Sequence, residues 1–187
     1  MTAHYLTNQF LIAMPTLADS NFSQTVTLVC EHNAQGALGI VINRPMQMKL
    51  ADVFEQLSLS AQDQPMREQP ILQGGPVQPD RGFVIHRAGA KPWESTLVVS
   101  DSIHVTTSRD ILNAMAEGRG PEQASMALGY AGWDAGQLEA EMAQNSWLNV
   151  PFDERILFGT PYENRWQAAA KLLGINLNTL SSQAGHA

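Results

Sequence analysis

Three stretches of the chain combine residue types and spacings that can do chemistry. In Gly39-Ile40-Val41-Ile42-Asn43-Arg44-Pro45 an apolar run delivers Asn43 and Arg44 to a turn. The Arg44 guanidinium can hold a carboxylate or phosphate in a bidentate pair; alternatively it braces the turn internally while Asn43 caps it. In Gln73-Gly74-Gly75-Pro76-Val77 adjacent glycines can present successive backbone N–H groups to an anion, or they form a tight turn enforced by Pro76. The third stretch runs from Leu128 to Glu141, where Gly129, Gly132 and Gly136 permit conformations or close approaches that a side chain would block. Asp134 can cap the following helix, with Gln137 three residues on as the other half of a capping box. A strand should therefore run into a tight turn and a helix whose first N–H groups are free. The candidate ligand-binding residues are Asn43, Arg44, Gly74, Gly75, Trp133, Gly136 and Gln137, expected to converge on one cleft.

No catalytic residue can be assigned. Glu139 and Glu141 are two apart, so they point to different sides of a helix and do not form an acid–base pair on spacing alone. Glu139 sits near enough to the helix start to be stabilised there by the macrodipole. Trp133 and Trp147 are more naturally core residues than walls of a cofactor site. The chain has no Walker-type phosphate loop, no Gly-x-Gly-x-x-Gly turn and no Gly-x-Ser-x-Gly elbow. Its histidines, His4, His32, His86, His104 and His186, lack the helical pairing of zinc proteases, and no metal or cofactor is expected. The single cysteine, Cys30, cannot form an internal disulfide, and at the end of an apolar run it reads as a small buried hydrophobe.

A net charge of −7 and a pI near 5.1 argue against binding to nucleic acid phosphates. No Lys or Arg precedes Arg44, whereas Arg81, Arg87 and Lys91 lie close together with His86, as a small anion-attracting patch or a solvated strand edge. Charged residues make up only 16%, against roughly 25% in typical soluble domains, which leaves neutral surface for a partner or a dimer contact. There is no basic segment before the first apolar run and no membrane-length apolar stretch, so a cytoplasmic location is expected.

The elements that must position these residues can be read from periodicity. Phe10–Met14 is a strand. Gln24–Cys30 and Ala37–Ile42, joined by about five residues ending in Gly36, form a hairpin that Pro45 stops. Leu50, Val53, Phe54 and Leu57 recur at helical spacing, and a surface loop covers Ser58 to Pro70. Further strands fall at 71–73, 82–86, 96–99 and 123–130. A helix begins at Thr107 with Ile111, Leu112 and Met115 inward. Thr160 should cap a helix with Pro161 in its first turn and Tyr162, Trp166, Ala169, Ala170 and Leu173 on one face. The 187 residues are read as one α+β domain spanning 1–187, with 181–187 a disordered tail.

Taken in order, Gly36 to Pro45, Gly74-Gly75-Pro76-Val77, Arg81 to His86, Gly129 to Trp133, Gly136 to Glu139 and Asn145-Ser146-Trp147 resemble the AlgH/YqgE family of bacterial proteins. The likeness spans about Phe10 to Ile175. It implies a bifurcated β-sheet folded into a pseudo-barrel with flanking helices. Members of that family have no established enzymatic activity and are often labelled transcriptional regulators, after a link to alginate production. They commonly carry a glycine where this chain has Asp134, which favours the capping role here. The expected function is that of a binding or regulatory protein acting through a protein partner or a small anionic ligand, with a homodimer also open. The alternative is an enzyme acting on a small anionic substrate, with Glu139 or Glu141 as base.

Overall fold

The computed structural model describes residues 4–90 and 92–184. Its first strands, β1 (Gln9–Ala13), β2 (Val26–Asn33) and β3 (Gly36–Val41), form an antiparallel meander. From Phe10 to Ala13 β1 is apolar because both its faces are covered: Phe10 and Ile12 enter one core, Leu11 and Ala13 another. The expected five-residue hairpin loop is only Ala34-Gln35, since Asn33 pairs with Gly36. Glu31, His32 and Asn33 continue β2 beyond an irregularity between Val29 and Glu31.

Pro45 does not end the sheet but begins β4 (Pro45–Lys49), which pairs with β5 (Pro70–Gln73); the first position of a strand tolerates proline's missing donor. Between them lie α1 (Leu50–Gln56) and a one-turn α2 (Gln64–Arg67) inside the stretch expected to be loop. Then come β6 (Val77–Arg87), β7 (Thr96–Val98), β8 (Ile103–Thr106), α3 (Arg109–Ala116), β9 (Ala124–Asp134), α4 (Gln137–Ala143) and β10 (Trp147–Pro151). The chain finishes with α5 (Glu154–Gly159), α6 (Arg165–Lys171) and α7 (Leu177–Ala184).

The strands run β10-β1-β2-β3-β9-β6-β8-β7 in one curled, mostly antiparallel sheet that forms a half-barrel with flanking helices. The sheet forks on β9. Leu72 and Gln73 of β5 lie parallel to Ala127 and Leu128, whereas β3 takes over antiparallel from Ala131 to Asp134. Gly129 sits at the fork with φ +79°, and a Cβ there would lie 2.4 Å from the Gly75 carbonyl oxygen. That position needs glycine for both reasons.

Three apolar clusters fill the layers. Inside the half-barrel, Phe10, Leu28, Ile40, Phe83 and Ile85 pack against Ile156 and Leu157 of α5 and Ala169 and Ala170 of α6. On the outer face, α1 and α3 bring Val53, Phe54, Ile111 and Met115 onto Val84 and Met126. Beside it α4 packs Leu138 against Leu11, Trp133 and Trp147. The C-terminal region differs from expectation. Thr160 does not cap a following helix; its hydroxyl donates to the Arg155 carbonyl and closes α5 (3.0 Å). Tyr162–Asn164 is a 3-10 turn before α6, and Leu173 is 42% exposed rather than inward. Residues 181–184, expected in a tail, continue α7, and 185–187 lie outside the described residues.

Candidate functional site

The glycine-rich stretch from Leu128 is not a turn but the body of β9, which persists to Asp134. The turn comes one step later, at Ala135-Gly136, with Gly136 at φ +76° opening α4. Only half the capping box forms: the Asp134 backbone N–H donates to Gln137 Oε1 (3.0 Å). The same Gln137 side chain donates from Nε2 to Glu141 Oε2 (2.9 Å). Glu141 Oε1 accepts both indole N–H groups, from Trp133 at 3.0 Å and Trp147 at 2.9 Å. One carboxylate thus satisfies two buried indoles, as their single donors require when buried.

Glu139 is engaged as well. His32, only 5% exposed, accepts the Leu6 backbone N–H at Nδ1 (2.9 Å). Its proton therefore sits on Nε2, which donates to Glu139 Oε1 (2.7 Å). That bond holds the Glu139 carboxyl below the usual glutamate range. Trp133, Gln137, Glu139 and Glu141 all take part in joining α4 to the sheet: the Trp133 indole is spent on Glu141, and each glutamate already accepts hydrogen bonds within the protein.

Asn43 and Arg44 are likewise occupied. Asn43 accepts the Val26 N–H (2.9 Å) and donates to the Gln24 carbonyl (2.9 Å). Arg44 donates to the carbonyls of Asn21 (2.6 Å) and Ser23 (2.9 Å). Bracing is what the geometry supports. Beside them lies a residue the sequence did not single out. Arg165, 4% exposed, donates to the carbonyls of Ile42 (2.6 Å) and Thr160 (2.9 Å) and stacks 4.3 Å over Tyr162. Burial pulls its guanidinium down to about 10, which leaves it cationic at neutral pH.

Gly74 and Gly75 are not an anion nest. The Gly74 N–H donates to Leu128 O (2.8 Å), and Gly74 O accepts from Val41 (2.9 Å). A Cβ on Gly74 would fall 2.4 Å from Gly129 O, and one on Gly75 would fall 2.2 Å from Tyr130 backbone atoms. The pair lets one backbone cross another. The expected convergence is half met. Gly74 adjoins the end of β3 near Arg44, but Gly136 and Gln137 lie at the opposite end of that strand, roughly 20 Å away at about 3.3 Å per residue.

The other chemistry-bearing groups are also accounted for. Cys30 is buried, and burial pushes its thiol well above the ordinary range, so it is inert. Arg87 pairs with Glu154 and with Glu122 (3.0 Å), Arg81 turns toward the Phe83 ring (5.4 Å), and Lys91 lies outside the described residues. His86 donates from Nδ1 to the Arg87 carbonyl (3.0 Å) and accepts the Thr106 hydroxyl at Nε2 (2.7 Å). Both residues are buried in the sheet, and that hydroxyl–imidazole pair is sealed.

A sizeable cleft lies elsewhere, between α1, α3 and the outer face of β6 and β9. It measures about 500 Å³ and is walled by Met48 and Leu57 on one side, Leu112 on another, and Val84, Met126 and Leu128 beneath. Gly82 keeps its floor low: a Cβ there would meet the Met126 methyl at 2.7 Å. Asp80 and Arg109 stand at its mouth. A more open, more polar depression of about 490 Å³ lies over β3 and β9, lined by Glu31, Tyr130, Gly132, Trp133 and Asp134.

A family model described as AlgH-like matches residues 10–178. This chain belongs to the AlgH-like family. It is similar to a UPF0301 protein of Pseudomonas fluorescens, 57% identical over 185 residues (98% of this chain, 96% of the relative). It is similar also to one of Methylococcus capsulatus, 53% identical over 184 residues (98% and 97%). The solution structure of the AlgH protein from Pseudomonas aeruginosa superposes with a TM-score of 0.79 at 52% identity, covering 100% of this chain and 98% of that one. A Corynebacterium diphtheriae protein, DIP2367, shares the fold at 16% identity with a TM-score of 0.73, covering 97% and 94%. The AlgH-like motifs thus map onto the β3–β9 seam, the Gly74-Gly75 crossing and the α4 anchor. Sequence reasoning missed the cleft because its walls come from six elements with no shared motif; the one signal was the pair of methionines, Met46 and Met48, alternating along β4.

Proposed function

We propose that this AlgH-like chain is a cytoplasmic binding protein with a regulatory role, and that it seats an apolar group of its ligand or partner in the cleft between α1, α3 and the sheet. The observation that carries this reading is the cleft itself. Its volume of about 500 Å³ falls within the roughly 300–1,000 Å³ of ligand pockets. Its deeper walls are formed by Met48, Val53, Leu57, Val84, Leu112, Met126 and Leu128, and Met48 and Met126 supply unbranched thioethers that adapt to varied shapes. No helix of the described residues is long and apolar enough to cross a membrane. The net charge of −7 favours an indirect effect on transcription over contact with DNA. Glu139 and Glu141 already accept hydrogen bonds within the protein, which favours the binding reading over the enzymatic alternative.

Titration with prodan, a neutral naphthalene dye, tests the reading on the wild type and on Gly82→Val. The valine suits a strand and fills the cleft floor, and the atom it displaces is the flexible end of Met126. The expected result is enhanced dye fluorescence with the wild type, lost in a Gly82→Val protein that still melts cooperatively. Dye binding unchanged by Gly82→Val, or absent from the wild type, would overturn the reading.

A further inference from the structure

The mouth of the cleft carries one charge of each sign, and among the described residues neither has an ion-pair partner. Asp80 reaches it through a distortion of β6. Val77 pairs with Tyr130 and Gly82 with Leu128, so the four residues from Gln78 to Arg81 stand opposite the single Gly129. Gln78 is left-handed, at φ +45°, and begins that excursion. Bulges of this kind re-aim side chains next to binding sites. From Asp80 onward the strand alternates, so Asp80, Gly82 and Val84 line the cleft while Arg81 turns away to Gln78 and the Phe83 ring. The nearest cation in sequence thus does not neutralise Asp80.

Arg109 opens α3 on the helix side. One of its N–H groups donates to the Leu57 carbonyl (2.7 Å), which fixes the guanidinium at the cleft wall and leaves other donors unspent. The adjacent Asp110 does not quench it, because that carboxylate accepts from Ser108 Oγ (2.5 Å), Glu94 N (2.9 Å) and Ile111 N (3.0 Å). Among the described residues neither Asp80 nor Arg109 forms an ion pair, with each other or with a third group.

Resting on the reading of the cleft as a ligand site, we infer that the ligand is a zwitterion with a large apolar side chain, a free amino acid or a short peptide. Its carboxylate lies on Arg109, its ammonium on Asp80, and its side chain among Met48, Leu112 and Met126. A fatty acid would satisfy Arg109 but set its tail or carboxylate against Asp80. An apolar amine would leave Arg109 unmatched. Only a head carrying both charges meets both groups, and a planar guanidinium matches a carboxylate in a bidentate fork.

Calorimetry and prodan displacement near neutral pH, using leucine, leucyl-leucine, N-acetyl-leucine and leucinamide, test this inference. The free zwitterions are expected to bind at least about tenfold more tightly than either blocked form, since each blocked form loses one charge-assisted contact. Leucine against leucyl-leucine decides between amino acid and peptide. Asp80→Asn should erase the preference over N-acetyl-leucine, and Arg109→Gln the preference over leucinamide. Equal binding of free and blocked forms would overturn the inference, as would prodan bound in the cleft but displaced by none of the four. If prodan does not bind there at all, the cleft reading falls as well, so the two failures are distinguishable.

Discussion

The two halves of β9 serve opposite purposes. At the C-terminal end Trp133, with Trp147, Gln137, Glu139, Glu141 and His32, forms a knot in which each named polar group has a partner. At the N-terminal half Met126 and Leu128 floor a cleft whose charged rim, Asp80 and Arg109, forms no ion pair among the described residues. The contrast shows how to weigh polar residues in this fold. Those in the conspicuous motifs are satisfied within the protein and hold it together, whereas those free to meet a ligand come from unremarked positions.

Substitutions can break or sharpen that contrast. Trp147→Ala should have the largest effect, a loss of about 3–5 kcal/mol in urea melts, because the indole is 3% exposed and the cavity it leaves abuts Trp133 and Phe22. A loss below about 1 kcal/mol would mean that the knot is not structural. Gly82→Val should shift the melt by less than Trp147→Ala while abolishing dye binding, the reverse pattern. Behind the cleft wall, burial holds His86 below 6.5, with His104 beside it acting in the same direction against the backbone bond to Arg87. Its contribution to stability is therefore complete above that value and falls as pH drops from 6.5 toward the lower folded-state value. Urea melts at about pH 7.5 and about pH 5 should show a larger loss for the wild type than for His86→Gln. Equal losses would remove His86 as a cause. Glu139→Gln should be smallest, a few tenths of a kcal/mol, since the carboxylate is 45% exposed. Its contribution is present above the ordinary 4.5 and disappears as pH falls through the lower folded-state value, so wild-type and variant melts should converge in acid.

Much of the fold was legible because its signals are local. The β-branched runs of β2 and β3 and the helical spacing of Leu50, Val53 and Phe54 announce themselves without tertiary context. β4, β8 and β10 did not: they are four or five residues long, β4 begins with proline, and each depends on a neighbour to be a strand. The turn of the third motif lies a few residues later than its first glycines suggest, because Gly129 serves a close backbone crossing within β9 and only Gly136 serves the turn. Gly74 and Gly75 were recognised as special, but only the register of β9 shows that they permit a backbone crossing. The candidate site was scarcely legible. Asp80 and Arg109 are far apart in sequence, and what joins them is a bulge defined by the pairing of Val77 and Gly82, which no spacing along the chain reveals. The Glu141 bridge between Trp133 and Trp147 has the same origin, three elements meeting at one carboxylate.

The most direct test of the contrast uses methionine methyl resonances, since Met48 and Met126 line the cleft while Met142 packs at the knot. With isotope-labelled methionine methyls in the wild type, addition of leucine or leucyl-leucine should shift Met48 and Met126 and leave Met142 in place. Movement of Met142 with Met48 and Met126 unmoved would put the ligand at the α4 end and contradict the assignment of the cleft.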